Sequence, residues 1–164
     1  MKKWWPLAVF VVGLSLVLLY QYQKYRIAPG VDVFALSYTD TAGKAVNLNT
    51  YKGKKIIYSF FGTWCGECVL ELKQLNEAKK NDLKDIEVII VSDEGLEKIK
   101  DFAQRKNYPF TFLKIDKVFA EIGVNAIPVN YLINAKGETI YKKVGGLKWK
   151  DHSVVNMTEE SLRE

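Results

Sequence analysis

The chain has 164 residues, 48% of them hydrophobic and 26% charged, which suits one folded domain with an appendage and excludes a multi-span membrane protein. Its formal net charge of +5 comes almost entirely from residues 1–26, which hold four bases and no acid, whereas residues 27–164 hold 20 bases against 19 acids. Because a nucleic-acid-binding surface keeps its positive charge in the folded body, we do not expect nucleic acid as a partner.

Residues 1–26 are predicted to anchor the chain in a membrane. Residues 4–22 form an uncharged, mostly apolar stretch of 19 residues, which as a helix would be about 29 Å long and would cross the roughly 30 Å of bilayer hydrocarbon. A cleaved signal peptide has a similar start, but no small-x-small cleavage site follows at residues 20–25, so we expect the anchor to be retained. Aromatic residues typical of membrane interfaces flank the stretch, namely Trp4, Trp5, Tyr20, Tyr22 and Tyr25.

Residues 27–148 alternate between strand-like and helix-like segments. The β-prone segments, most of them bounded by turn residues, are residues 31–38, 45–48, 55–61, 86–91, 110–115, 129–133 and 138–144. The segments with helical periodicity are residues 65–80 and 96–106 and, for one or two turns, 118–122. This order predicts an α/β fold with a mixed sheet that is parallel in its first half and ends in an antiparallel hairpin.

Residues 149–164 form a weakly patterned tail whose structure the sequence leaves open. Within it, Asn156 and Glu159 have the spacing of a helix capping box.

Cys65 and Cys68 form a C-x-x-C pair where a predicted buried strand turns into a predicted helix. The first turn of a helix has unpaired N–H groups and the positive end of the dipole, and both stabilise a thiolate, the reactive form in disulfide exchange. We therefore expect Cys65 to be the exposed nucleophile and Cys68, one turn inside the helix, to resolve the mixed disulfide. Two packed structural cysteines or half of a metal site are the alternatives. Two cysteines and one histidine are too few for a usual structural zinc site, and we expect no metal and no other cofactor.

Several motifs carry a family resemblance. The most specific is FFGTWCGEC at residues 60–68, and it is followed by Ile127-Pro128, by INAKG at residues 133–137 and by Gly145-Gly146. With these motifs the chain resembles the thioredoxin superfamily over about residues 31–146. Within that superfamily it is most similar to the membrane-tethered TlpA/ResA-like thiol-disulfide oxidoreductases, which have a domain of the AhpC/TSA-redoxin type. The resemblance implies a thioredoxin-like fold, with a central mixed sheet flanked by helices and an N-terminal β-hairpin.

The resemblance also implies further site residues. In that family the proline that matches Pro128 is cis and faces the cysteine pair, so the backbone of Ile127 would pair with an incoming peptide. We expect Trp64, Ile127 and Pro128 to contact the substrate. The TlpA/ResA-like branch has a glutamate at the position of Glu71, three residues after Cys68 and on nearly the same helix face. Glu71 is therefore either the acid-base group of the site or an ordinary solvated glutamate.

Two departures from the family pattern affect the expected proton chemistry. Ser59 stands where thioredoxins have a buried acid, so their usual proton acceptor is absent. Val129-Asn130 follows Pro128, where threonine is common in the family. These differences bear on the redox potential and on the partner rather than on the fold.

The resulting prediction is a thiol-disulfide oxidoreductase that reduces disulfides of extracytoplasmic proteins and receives electrons from a membrane thiol reductant. We expect one span in the bacterial cytoplasmic membrane, with the domain on the periplasmic side. A thiol peroxidase is one alternative, disfavoured because Gly62 stands where peroxiredoxins have threonine. A non-catalytic binding module with an inert disulfide is the other.

Overall fold

The computed structural model describes residues 4–163, and the backbone alone for residues 23–26. Two of the four bases of residues 1–26, Lys2 and Lys3, lie outside the described residues. The side chains of the other two, Lys24 and Arg26, and of the flanking Tyr25 lie outside them as well. The helices are α1 (Trp5–Arg26), α2 (Gly66–Asn81), α3 (Leu96–Lys106) and α4 (His152–Ser161). The strands are β1 (Tyr38–Asp40), β2 (Ala45–Val46), β3 (Ile56–Phe60), β4 (Glu87–Ser92), β5 (Thr111–Ile115), β6 (Val129–Ile133) and β7 (Thr139–Val144).

Within residues 4–163, seven strands form one sheet in the order β2-β1-β5-β4-β3-β6-β7. β3 pairs in parallel with β4, and β4 with β5, whereas the other neighbouring pairs are antiparallel. The predicted mixed sheet is therefore confirmed. Its parallel strands are the central three rather than the first ones along the chain, because the N-terminal hairpin of β1 and β2 joins β5 in antiparallel orientation.

The strand that leads to the cysteines is buried on both faces, as its almost continuous β-prone sequence predicts. All five residues of β3 are buried. Ile57 packs into the core under α2, whereas Ile56 and Tyr58 pack into a second core on the other side of the sheet. α2 covers the first core with a buried stripe, Cys68, Leu72, Leu75 and Ala78.

Residues 31–38 do not form the predicted strand. Val33–Ala35 is a 3-10 helix, because the Asp32 carboxylate accepts a hydrogen bond from the Phe34 N–H (3.1 Å) and caps this turn. β1 begins only at Tyr38. Val33 and Tyr38 are both buried, so the alternating apolar pattern indicated burial correctly but not the backbone conformation.

The tail after residue 148 packs onto the core under α2. Asp151 starts α4 by accepting a hydrogen bond from the Ser153 N–H (2.9 Å). Asn156 therefore lies inside the helix, and the predicted capping box does not form its start. Trp149, Val155 and Leu162 belong to the core under α2, so this segment is part of the folded domain.

α1 has the properties of the predicted anchor. Trp5–Tyr22 is long and apolar enough to cross a membrane by length and composition, and none of it is buried against the domain. The chain after α1 is attached to the sheet, because Ala28 is buried and the Tyr131 hydroxyl donates a hydrogen bond to the Pro29 carbonyl (3.0 Å). α1 and the domain are therefore joined by a short connection that is itself held by the fold.

Candidate active site

Cys65 lies where the chain passes from β3 into α2. It is the N-cap residue of α2, and its Sγ accepts a hydrogen bond from the Cys68 N–H (3.2 Å). Acceptors at this position satisfy the unpaired N–H groups of the first helical turn. A thiolate on Cys65 would be stabilised by the same donor and by the positive end of the helix dipole.

The two cysteines form a disulfide, with their Cα atoms 5.2 Å apart. Cys68 is completely buried, whereas Cys65 is 8% exposed. The predicted exposure of Cys65 is therefore wrong in degree, because the packing of the loop and helix leaves only a small part of the residue accessible. Cys65 is still the more accessible residue of the two.

Trp64 and Ile127, two of the predicted substrate-binding residues, lie close together above Gly62. A Cβ atom on Gly62 would lie 2.9 Å from Trp64 Nε1 and 3.0 Å from Ile127 Cδ1, so the loop needs glycine here for both side chains to approach. Trp64 is 75% exposed. An exposed indole and an aliphatic side chain beside the cysteine pair form a small apolar surface that could hold a peptide.

Pro128 is buried at the start of β6, next to the active-site loop. The pairing of Phe60 with Val129 places Pro128 alongside the end of β3. The Ile127–Pro128 peptide bond is cis, as the family resemblance implies.

Glu94 holds the loop that precedes the cysteines. The Thr63 N–H donates to Glu94 Oε2 (2.6 Å), and the Thr63 hydroxyl donates to Glu94 Oε1 (2.9 Å). Glu94 follows β4, and because β3 and β4 are parallel neighbours their carboxyl ends lie side by side. From the sequence, Asp93-Glu94 is expected to start the next helix rather than to bind a metal, and the contact of Glu94 with Thr63 was not predicted. The position of Glu94, two residues after a strand adjacent to β3, is a signal that could have indicated it.

Glu71 is buried one turn beyond Cys68, with 4% of its surface exposed. Its Oε1 accepts hydrogen bonds from Asn130 Nδ2 (2.8 Å), the Leu147 N–H (2.7 Å) and Trp149 Nε1 (3.3 Å). Burial raises the pKa of Glu71 from 4.5 to about 7, although these three donors act in the opposite direction. The structure therefore excludes the solvated glutamate and shows a carboxyl group that can exchange a proton near neutral pH.

Glu67, between the cysteines, has an exposed side chain, and its Oε1 accepts a hydrogen bond from the Gly146 N–H (2.9 Å). The segment after β7 thus packs across the start of α2. Together they line a groove whose members are Glu67, Leu70, Glu71, Gln74, Gly146, Leu147, Lys148, Lys150 and Asp151.

Two partners of Glu71 were not predicted as site residues. Asn130 is a polar residue within an otherwise apolar and aromatic strand, and that contrast is a signal in the sequence. Trp149 has no such signal, because its role depends on a fold that brings it to a residue 78 positions earlier.

Among residues 4–163, no group of three or more histidine, cysteine or acidic side chains could hold a metal ion.

Comparisons with known proteins agree with this geometry. The family model described as Redoxin matches residues 28–158. Thiol-disulfide oxidoreductase ResA of Bacillus thuringiensis is 29% identical over 138 residues, covering 82% of this chain and 80% of ResA. The thioredoxin-like protein YneN of Bacillus subtilis is 29% identical over 148 residues, covering 84% and 86% of the two chains.

A solved structure shows the same fold. StoA from Bacillus subtilis superposes with a TM-score of 0.56 at 23% identity, over 80% of this chain and 98% of StoA. The predicted thioredoxin-like fold is confirmed by this match, and the predicted class of enzyme, a thiol-disulfide oxidoreductase, is confirmed by the relatives. Since the family model spans most of the chain, including the part of the tail up to residue 158, the protein belongs to the Redoxin family.

Proposed function

We propose that the protein is a membrane-tethered reductase of disulfides in extracytoplasmic proteins, and that Cys65 and Cys68 carry the electrons. The observation that carries the proposal is the disulfide at the start of α2, with the more accessible Cys65 at the N-cap and the exposed Trp64 directly before it. The relatives named thiol-disulfide oxidoreductase support the same chemistry.

The reaction begins with the reduced pair. The Cys65 thiolate attacks one sulfur of the substrate disulfide, the substrate S–S bond breaks, and the departing substrate thiolate takes up a proton. Cys68 then loses its proton and attacks the Cys65 sulfur, the mixed disulfide breaks, and the second half of the substrate leaves as a thiolate that takes up a proton. The Cys65–Cys68 disulfide remains. Two electrons have passed to the substrate, and a thiol reductant must return two electrons to the protein before the next cycle.

Each remaining predicted residue has a place in this reaction. Trp64 and Ile127 would hold the peptide around the substrate disulfide, with Pro128 fixing the loop before β6. Glu71 would take up the proton that Cys68 loses, because it lies one turn away on the same helix and its pKa is about 7.

The pair is expected to have a low reduction potential. A helix start favours the Cys65 thiolate and so makes a pair more oxidising. The carboxylate of Glu67 and, when ionised, that of Glu71 lie within about one turn and disfavour the thiolate, which opposes that effect. We expect equilibration with glutathione to give a potential well below that of a dedicated periplasmic oxidase, which is about −120 mV.

The purified protein should also reduce a disulfide-containing protein when a small dithiol supplies the electrons. A Cys65→Ser variant is the control. A potential near that of the oxidase would contradict the direction of the reaction. Failure to turn over any disulfide would indicate a non-catalytic binding module, and consumption of hydrogen peroxide in its place would indicate a peroxidase.

The domain is expected to lie outside the cytoplasm, with Trp5–Tyr22 as one membrane span. Protease added to intact spheroplasts should then remove the residues after the span, because no membrane protects them. A cytoplasmic marker protein should survive in the same sample and disappear only after lysis. Protection of the domain until lysis would reverse the proposed orientation.

A further inference from the structure

Asn130 is the second residue of β6, between Val129 and Tyr131 in an otherwise apolar and aromatic strand. It is completely buried and pairs with Ser59 of β3. Ile57 and Leu132, two residues before Ser59 and two residues after Asn130, form the pair with the same orientation, and they pack into the core under α2. Because side chains alternate along a strand, Asn130 also points towards α2. A buried amide in this position requires a hydrogen-bond partner.

The partner of Asn130 is Glu71. Asn130 Nδ2 donates to Glu71 Oε1 at 2.8 Å, whereas its distance to the Gly145 carbonyl is 3.5 Å, the outer limit for a hydrogen bond. Glu71 Oε1 also accepts from Leu147 and Trp149, but Oε2 is buried and has no partner among the described residues. With three N–H donors on Oε1, the proton of a neutral Glu71 belongs on Oε2.

The three donors differ in how firmly they are held. Leu147 and Trp149 belong to the segment after β7, which crosses the start of α2. Asn130 belongs to a fully buried strand that is paired on both sides, with β3 and with β7. It is therefore the contact that ties the carboxyl group to the sheet, and β3 of that sheet leads directly to Cys65.

We propose that Asn130 is a positioning residue for disulfide exchange: it fixes the rotation of the Glu71 carboxyl group so that Oε2 takes up and releases the proton. This inference rests on the proposed function, because it assumes that Glu71 exchanges a proton with the cysteine pair. Among the described residues, no hydrogen bond joins Asn130 to either cysteine. Asn130 therefore acts through Glu71.

The charges that face Glu71 come from two elements. On α2, Glu67 raises the pKa of Glu71, and Cys68 lies one turn before it. From the segment after β7, the charged residues that line the same groove are Lys148, Lys150 and Asp151. β6 supplies an amide and no charge. The hydrogen bond from Asn130 lowers the pKa of Glu71 against the larger effect of burial, so its loss should raise that pKa.

The test uses the full chain in detergent and the variant Asn130→Leu, which keeps the side-chain size but removes the donor. Nuclear magnetic resonance of the Glu71 carboxyl carbon should show a titration midpoint that is higher by roughly one pH unit. The pH profile of the exchange rate should move in the same direction. Asn130→Ala, which also lacks the donor, should move the midpoint in the same direction.

Two controls separate positioning from a general loss of structure. Ser59 is paired with Asn130 and lies on the same face of the sheet, but the Ser59 hydroxyl makes no hydrogen bond among the described residues. In Ser59→Ala the titration midpoint of Glu71 should therefore stay unchanged. In a Glu71→Gln background, Asn130→Leu should no longer move the pH profile, because the two residues act as one unit.

An unchanged Glu71 titration in Asn130→Leu would overturn the inference, as would a pH shift that persists in the Glu71→Gln background. If Asn130→Leu does not fold, Asn130→Ala decides by the same measurement. The carboxyl titration does not depend on activity. A wild type that exchanges no disulfide would therefore disprove the proposed function, whereas a normal exchange with an unmoved titration would disprove only the role of Asn130.

Discussion

Replacement of Cys68 by serine is expected to trap the protein in covalent complexes with its disulfide-bearing substrates, whereas replacement of Cys65 by serine should abolish complex formation. The reason is the unequal position of the two sulfurs. Cys65 is the N-cap of α2 and is partly accessible, while Cys68 is completely buried one turn inside the helix. The first attack therefore falls to Cys65, and only Cys68 lies where it can release the mixed disulfide.

Affinity capture from cells that express each variant, followed by non-reducing electrophoresis and mass spectrometry, measures this difference. We expect turnover of a disulfide substrate to fall to the background level in both variants, since each lacks one of the two sulfurs that carry the electrons. The double variant is the control for complexes that form through other contacts. Complexes that accumulate in Cys65→Ser but not in Cys68→Ser would reverse the roles of the cysteines.

The elements that position the cysteines could be predicted because their determinants are local. The almost continuous β-prone run before Gly62 predicts a strand buried on both faces, and Ile56–Phe60 is such a strand. The apolar residues that recur after Cys65 predict a helix, and α2 follows within one residue of the predicted ends. Neither element depends on a distant part of the chain for its type.

The surroundings of Glu71 could not be predicted, because they are made by distant residues. From its helical position alone, Glu71 could equally have faced solvent. It is buried because the segment after β7 folds back across α2, so that Leu147 and Trp149 contact a residue more than seventy positions earlier. The weak pattern of residues 149–164 gave no sign that Trp149 belongs to the core. Helical periodicity describes only neighbouring residues within one helix. It therefore predicts neither the burial of Glu71 nor the core position of Trp149.

Glu71 should make the folded protein less stable as the pH rises. Burial raises its pKa from 4.5 to about 7, so the folded state binds the proton more tightly than the unfolded state does. The stability contributed by the neutral carboxyl group is then fully present below about pH 4.5. It is lost progressively as the pH rises towards 7 and stays lost above that value. A shift of this size corresponds to about 3 kcal/mol in the free energy of unfolding.

The variant Glu71→Gln is expected to remove this loss. A glutamine is neutral at every pH and its Oε1 can still accept the hydrogen bonds from Asn130 and Leu147. The measurement is urea unfolding of the oxidised full chain in detergent, repeated across the pH range. From acid to alkaline pH, the free energy of unfolding of the variant should rise relative to that of the wild type by up to about 3 kcal/mol. Because other titrating groups are common to both proteins, the difference between the two curves isolates Glu71.

Glu67→Gln is the matched control, since it removes a carboxylate from the same helix four residues earlier, at an exposed position. Its stability should follow that of the wild type much more closely than Glu71→Gln does, because the charge of Glu67 is the smallest of the effects that shift the pKa of Glu71. If Glu71→Gln also follows the wild type, the pKa of Glu71 is not raised in the folded protein, and its carboxylate would be too weak a base to take the proton from Cys68 efficiently. A large divergence for Glu71→Gln alone would support Glu71 as the proton acceptor. With a pKa of about 7 its carboxyl group is neutral in part of the molecules near neutral pH and ionised in the rest. The ionised form is the one that takes up the proton in the exchange reaction.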